Sequence, residues 1–342
     1  MDNKFALSDF STMPSEIQGK KFKELSPTEK GKITTKNLDC VIVECDDDEE
    51  EDMFTRLNNG TPLSAAERRN AIQGQIRDSV KKLAKHKFFK YKVNFSSKRY
   101  AYDAVCAQLT LLSLSGQPTD AKGKKLKKLY EEKRRYPERK DIETKIKKIL
   151  NLMDKIFVRK EPYMKKYNVV SVYFFLQFLL GNFSVSKITP KEWYNFFNEF
   201  EEQRIKNSQI SEDDTHFDFD LNDYQFQCVN SPDSEQGIKK RHDILLKKFF
   251  IKFHEIETKD PVRIFNESQK EAIYLLKEKK CCGVQDFICP NNNRILLFEE
   301  CEFDHIKEYD AEGKTIVSNG QILCKECHSH KTQNYRAKKK AS

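Results

Sequence analysis

Four residues near the C-terminal end have the types and order needed to bind a divalent cation and move a proton. Asp304 and His305 are adjacent, Asn319 precedes a glycine, and His328 directly follows a Cys-x-x-Cys pair. Asp304 and His328 can offer ligand atoms to Mg²⁺ or Mn²⁺. His305, with an ordinary pKa of roughly 6.5, can accept a proton from water near neutrality. This chemistry is typical of phosphodiester hydrolysis, which needs an activated water and a cation beside the phosphate.

Cysteines around these residues predict a structural zinc site. Cys324 and Cys327 have Cys-x-x-Cys spacing, and Cys281, Cys282 and Cys289 lie upstream. Because adjacent cysteines rarely bind one ion together, we predict Cys282 and Cys289 as the upstream ligands, with Cys281 as the substitute. The other cysteines are predicted to be core thiols: Cys40, Cys45, Cys106, Cys228 and Cys301.

The segment 268–335 resembles the HNH nucleases, the ββα-metal class, whose signature is Asp-His, a central Asn and a final His after Cys-x-x-Cys. The resemblance implies that Asp304 and His328 bind the catalytic ion, that His305 activates water and that Asn319 orients it. It also implies a nuclease module acting on DNA.

Two further expectations concern the neighbours of this motif. Asn319 should hold its loop and orient His305 through an amide contact. Asn319-Gly320 should form a turn that closes a hairpin or leads into the last helix. His330, two residues beyond His328, is either an alternative ligand or a surface histidine.

Basic residues are concentrated in the segment 121–166, which carries 18 Lys/Arg and 7 Asp/Glu. Its apolar residues recur at helical spacing, so the charge should lie on an amphipathic helix; they are Ile142, Ile146, Ile149 and Met153. The lysines either form a solvated face or contact DNA phosphates. The predicted DNA contacts are Lys124, Lys125, Lys127 and Lys128.

The other elements are predicted to be mostly helical. Ser64 and Glu67 form a capping box for a helix, and Ile72, Ile76, Val80 and Leu83 should share one helical face. The apolar run 169–181 is too short for the roughly 20 residues that span a bilayer, and predicts a buried helix. Helices are also predicted at 191–204 and 238–253, and from 268 into the cysteines. Residues 38–43 predict a strand, and 208–232 an irregular connection.

A second resemblance lies before the capped helix. The string from Phe54 to Ala71 is similar to the ParB/sulfiredoxin-like domain of GmrSD-type restriction proteins. The Asp-Gly-Gln-Gln-Arg motif that precedes this string in that family is absent here, so the resemblance implies a truncated domain. A second chain or self-association would then supply the missing half. Four polar residues either hold the loop onto the helix or position DNA: Arg56, Asn58, Arg69 and Asn70.

The whole chain of 342 residues has a net charge of +9, which suits a polyanionic partner. We predict an α+β fold, mostly helical, with three regions: a partial ParB-like region at 1–118, a basic helical region at 119–262 and a zinc-stabilised nuclease module at 263–342. The leading function is a metal-dependent DNA endonuclease in restriction or defence. The alternatives are a catalytically idle DNA-binding or decoy subunit and an RNA-processing nuclease. An intracellular location, cytoplasmic or virus-associated, is expected, with no membrane segment.

Overall fold

The computed structural model describes residues 15–37 and 63–341, which fall into two units. The predicted strand at 38–43 and the Phe54–Pro62 part of the ParB-like string lie outside the described residues, as do Cys40 and Cys45. In the first unit, helix α1 spans Pro27–Thr34. Ser26 caps it, because the Glu29 backbone N–H donates to Ser26 Oγ at 3.3 Å.

Helices make up most of the second unit. In chain order they are α2 (Ala65–Ala71), α3 (Gln75–Ala84), α4 (Lys87–Tyr91), α5 (Ala101–Ser115), α6 (Gly123–Glu132), α7 (Arg139–Ile156), α8 (Lys166–Asn182), α9 (Pro190–Asn207), α10 (Phe219–Asn230), α11 (Glu235–Lys252), α12 (Glu267–Leu276) and α13 (Lys325–Ala341). With the small sheet described below, this confirms a mostly helical α+β fold.

The predicted capping box at the start of α2 is confirmed. The Glu67 backbone N–H donates to Ser64 Oγ at 3.2 Å, and the Ser64 N–H donates to the Glu67 carboxylate at 2.7 Å. The prediction that four apolar residues share one helix face is wrong in one respect. The helix is interrupted at Gly74, between α2 and α3. Gly74 has a φ of 149°, and a Cβ there would lie 2.7 Å from the Arg134 Cα. The four apolar residues of the predicted face are nevertheless buried.

The predicted buried helix at 169–181 is confirmed as part of α8, which contacts α5, α7 and α11. Phe175 on α8 lies at the centre of an aromatic cluster, 5.7 Å from the ring of Phe196 and 5.6 Å from that of Phe249. Trp193 stacks on Phe249 at 5.4 Å. Such pairs add about 0.5–1.5 kcal/mol each beyond their buried area. None of the described helices is long and apolar enough to cross a membrane.

The prediction of an irregular connection at 208–232 is wrong, because it contains α10. Asp218 caps this helix by accepting hydrogen bonds from the backbone N–H groups of Asp220 and Leu221. Leu221, Tyr224 and Cys228 then bury one face. The polar residues of the segment therefore supply a helix cap and an exposed face.

A two-stranded antiparallel sheet follows α12. Strand β1 spans Glu302–His305 and β2 spans Gly320–Leu323, with His305 opposite Gly320. The predicted turn at Asn319-Gly320 is wrong, since Gly320 begins β2 in an extended conformation. A Cβ at Gly320 would lie 2.2 Å from Ile273 Cδ1, so the glycine lets β2 approach α12. α12 contacts both α11 and β2, and so joins the hairpin to the helical body.

Candidate active site and cysteine cluster

β1, β2 and α13 bring the predicted site residues to one end of the hairpin. Asp304 and His305 end β1, Asn319 directly precedes β2, and His328 lies in the first turns of α13. The two strands and the helix occur in the order that a ββα module requires. The register fixes the pairing, because the backbone N–H after His305 donates to the Asn319 carbonyl at 2.7 Å.

Four thiols form a cluster beneath this hairpin. The sulfurs of Cys281, Cys289, Cys324 and Cys327 all lie within 4.8 Å of one another. Cys289 Sγ and Cys324 Sγ are 3.9 Å apart. Zn–S bonds of about 2.3 Å in a tetrahedron require sulfurs about 3.8 Å apart, so the donor set and its spacing fit a zinc ion. Cys324 and Cys327 are buried, as a structural site requires.

The structure brings Cys281 into the cluster in place of the predicted Cys282. The Cys282 backbone N–H donates to the Ile322 carbonyl at 2.8 Å, beside β2. Of these two adjacent cysteines, only Cys281 belongs to the cluster. The Cys281 thiol accepts a hydrogen bond from the Cys324 backbone N–H at 3.1 Å, whereas Cys282 is exposed. The sequence does not encode which cysteine faces inward.

Of the predicted core thiols that are described, Cys106 and Cys228 are buried. Burial raises the pKa of both. Cys301 is only partly buried, and its thiol donates to the Leu297 carbonyl at 3.2 Å.

His305 is held by contacts on its face and its edge. The ring stacks on Phe265 at 4.6 Å between centroids, and Nε2 lies 3.0 Å from Thr315 Oγ1. The side chain is only 7% exposed, and burial lowers the pKa of His305. The imidazole is therefore neutral near pH 7, the form in which a nitrogen lone pair can accept a proton.

Asn319 holds the loop between the strands. Its Oδ1 accepts a hydrogen bond from the Lys307 backbone N–H at 2.9 Å. Its Nδ2 donates to the carbonyls of Lys307 at 3.1 Å and Lys314 at 2.9 Å. These bonds use both amide protons, so the predicted loop-holding contact is present but the predicted amide contact to His305 is not. Thr315 and Phe265 orient the imidazole ring instead.

Asp304 and His328 line one cavity of about 360 Å³. Lys331, one turn beyond His328, also lines it, and its ammonium lies 2.6 Å from Asp304 Oδ2 and 2.9 Å from Glu308 Oε1. Lys331 also donates to the His305 carbonyl. The His305 side chain is not among the lining residues. His330 does not line the cavity either, and stacks on Phe287.

Asp304 and His328, which both line this cavity, carry ligand types that divalent cations take. Within the described part of the chain, the side-chain bonds of Asp304, from Lys331 and Gln321, fall on Oδ2. Oδ1 and the His328 imidazole are then left to a cation, and water and a phosphate could complete its shell. Lys331 supplies a positive charge in the same cavity.

Sequence reasoning missed Lys331, Glu308, Thr315 and Phe265. Lys331 follows His328 by three residues, and residues three apart share a helical face, so its position was readable once the helix was assigned. The other three come from loops whose paths depend on tertiary contacts.

The lysines predicted to contact DNA lie on the exposed face of α6. Lys127 and Lys128 pair with Glu131 and Glu132 at 3.4 Å. Such exposed pairs contribute little stability and leave the lysines available to phosphates.

Comparison with known proteins identifies the C-terminal segment. Residues 282–334 match the model of the family described as HNH endonuclease. The matched segment includes Asp304, His305, Asn319 and His328, and three of the four clustered cysteines. Neither the comparison with curated proteins nor that with solved structures gave a match. The chain is thus similar to HNH endonucleases over residues 282–334, and this similarity supports a nuclease module.

Proposed function

We propose that this chain is a metal-dependent endonuclease that hydrolyses DNA phosphodiester bonds at the cavity holding Asp304 and His328. The observation that carries the proposal is the convergence of these two residues on one cavity beside a buried, neutral His305. The match to HNH endonucleases over the same residues supports it.

The residues have distinct roles in the proposed reaction. Asp304 and His328 would hold Mg²⁺ or Mn²⁺, which supplies positive charge beside the phosphate. With its proton on Nε2, His305 donates to Thr315 Oγ1 and keeps the Nδ1 lone pair for a water proton. The water oxygen attacks phosphorus as the bond to the 3′ oxygen breaks. Because the His305 side chain does not line the cavity, we expect substrate binding to bring this nitrogen and the water together.

The cysteine cluster would hold zinc through Cys281, Cys289, Cys324 and Cys327. Its role is structural, since four protein sulfurs leave no open position for a substrate. The zinc would fix the start of α13 against β2, and so would position His328.

One observation favours the alternative of a catalytically idle DNA-binding subunit. Lys331 is already paired with the carboxylate of Asp304, and its charge opposes a second cation there. An RNA substrate is a further alternative, because this chemistry acts on either backbone. Cleavage assays with DNA and RNA separate the three functions.

Several finer proposals rest on the sequence alone. They are a role in restriction or defence, a ParB-like region at 1–118, a basic region at 119–262, and a second chain or self-association that completes the ParB-like half. An intracellular location is a further proposal of this kind.

A plasmid-nicking assay tests the function with a matched pair of variants. The parent protein should nick plasmid with Mg²⁺ or Mn²⁺ and not with EDTA. His328→Ala should lose this activity because it removes a metal ligand, and added Mn²⁺ should restore part of it. His330→Ala, two residues along the same helix, should cut like the parent. Equal cleavage by both variants would contradict the assigned site.

A further inference from the structure

A second cavity lies in the helical body, among residues distant in sequence from the nuclease motif. It has a volume of about 460 Å³ and is lined by four cationic residues, Arg69, Lys98, Arg99 and Lys166. Asp233 is the one acidic residue that lines it among the residues described. We call it the Arg69 cavity.

Arg69 carries a buried charge without an acidic partner. Its side chain is only 4% exposed, and its Nε has no hydrogen-bond partner in the described structure. Its guanidinium carbon lies 5.9 Å from the centre of the Tyr130 ring. No carboxylate of the described residues forms an ion pair with it. Tyr130 is a neutral partner for this guanidinium, so the buried positive charge is not balanced by an anion, which is costly.

The rim of the cavity adds donors around Arg69. Lys98 and Lys166 are exposed and have no ion pair with any other described residue. Arg99 is bound to Glu67 at 2.8 Å. The cavity also borders the first residues of three helices, Ala101 of α5, Gly123 of α6 and Lys166 of α8. None of these helices has a side-chain cap at its N-terminus, where backbone N–H groups attract anions.

We propose that the Arg69 cavity binds a phosphate group, supplied by a nucleic-acid backbone or by a free phosphate compound. A guanidinium is suited to binding two phosphate oxygens at once, and the lysines and helix ends meet the others from other directions. The cavity opens beside the start of α6, whose lysines are predicted DNA contacts, and this placement favours a backbone phosphate. The inference does not depend on nuclease activity.

Calorimetric titration with inorganic phosphate tests the site, on the full chain at constant ionic strength with EDTA present. The parent should bind one phosphate per chain. Lys98→Ala/Lys166→Ala should weaken binding at least about tenfold, since it removes two charges from the rim. Lys191→Ala/Lys206→Ala removes two exposed lysines that do not line the cavity, and should bind like the parent. Arg69→Lys keeps the charge but removes the paired donors, and should also bind more weakly.

A short DNA duplex then distinguishes the two sources. A duplex that displaces phosphate from the parent, and binds more weakly to the Lys98/Lys166 variant than to the control, indicates a backbone phosphate. A duplex that leaves phosphate bound indicates a free phosphate compound. If the parent binds no phosphate, or the control loses as much affinity as the Lys98/Lys166 variant, the proposal is wrong. Should Arg69→Lys fail to fold, comparison of the Lys98/Lys166 variant with the Lys191/Lys206 control still decides the question. A lack of DNA cleavage would leave this titration unaffected.

Discussion

At the scale of single residues, the Thr315 hydroxyl contacts one ring nitrogen of His305, and we propose that it accepts the proton of that nitrogen. Its Oγ1 lies 3.0 Å from Nε2, so a proton on that nitrogen has an acceptor and Nδ1 keeps its lone pair. Thr315 is buried, and its carbonyl accepts a hydrogen bond from Gln269 on α12. The orientation of the imidazole therefore depends on α12 as well as on the hairpin.

Thr315→Val should lower the cleavage rate roughly 10- to 100-fold, the scale for losing a contact that orients a catalytic group. Valine keeps the shape of threonine but offers no oxygen to Nε2. Thr315→Ser keeps the oxygen and should retain most of the activity. Single-turnover cleavage rates, with thermal melts to check folding, measure both variants. Equal rates for the valine and serine variants would show that Thr315 does not orient His305.

The residue types and spacing of the motif predict one shared site, but not how its residues contact one another. Asp304 and His328 line one cavity, whereas His305 and Asn319 lie on the same hairpin without lining that cavity. The partners of His305 could not be predicted, because Phe265 lies 40 residues upstream and Thr315 lies in a loop whose path Asn319 fixes. Asn319 uses its amide on the backbone of that loop, a choice set by the loop's tertiary path.

At the scale of elements, the cysteine cluster joins β2 and the start of α13 to the segment after α12. The Cys282 N–H bonds to Ile322, and Cys281 accepts from the Cys324 N–H, so the upstream segment runs beside β2. A zinc ion on these thiols would contribute directly to the folding free energy of the module.

Cys281→Ser should remove zinc and destabilise the C-terminal module, because the ion loses one of four sulfur ligands. Cys282→Ser, at the adjacent position, should keep about one zinc per chain, since its thiol is exposed. Elemental analysis and thermal melts measure both variants. Zinc retained by Cys281→Ser and lost from Cys282→Ser would reverse the assignment.

Element predictions succeeded where local signals agree with packing. The Ser64 capping box and the buried faces of α7 and α8 follow from cap chemistry and periodicity. The break at Gly74 depends on the close approach of Arg134, and Gly320 is placed by Ile273, so neither could be read from turn propensity. Helix α10 was missed because its polar residues suggest a loop, whereas Leu221, Tyr224 and Cys228 bury against other helices.

At the scale of the whole molecule, one buried histidine should make the free energy of unfolding depend on pH. His242 on α11 is 6% exposed, between the rings of Phe174 at 4.8 Å and Phe178 at 5.0 Å. Burial lowers the pKa of His242 to about 3, and its Nδ1 has no partner in the described structure. The folded state therefore resists protonation of this ring.

The free energy of unfolding should fall as the pH drops below about 6.5, where His242 of the unfolded chain binds a proton. The folded state binds that proton only near pH 3, so the loss continues through this window, at up to about 1.4 kcal/mol per pH unit. His242→Phe should flatten this dependence, which denaturant titrations at several pH values measure. His216→Asn, a change at an exposed histidine, should keep the parent's dependence. An unchanged slope in His242→Phe would contradict this explanation.

The sequence predicted a mostly helical chain that ends in a small α+β module, and the structure has this architecture. The α+β class follows from periodicity and from the motif, because both are local. The Arg69 cavity does not follow from sequence, since its residues come from five separate segments between 64 and 233. The ParB-like resemblance stays a prediction, because half of its string lies outside the described residues.

The cleavage rate of His305→Ala tests the central claim most directly. His305 is proposed to accept a proton from water; its ring stacks on Phe265, and it is not one of the clustered cysteine ligands. The variant should keep its zinc, its fold and its DNA affinity, but should cut DNA roughly 10²-fold more slowly or worse, the usual loss for a general base. His330→Ala, measured alongside, should cut at the parent rate. A folded His305→Ala protein that cuts DNA as fast as the parent would contradict the assignment of this site as a nuclease centre.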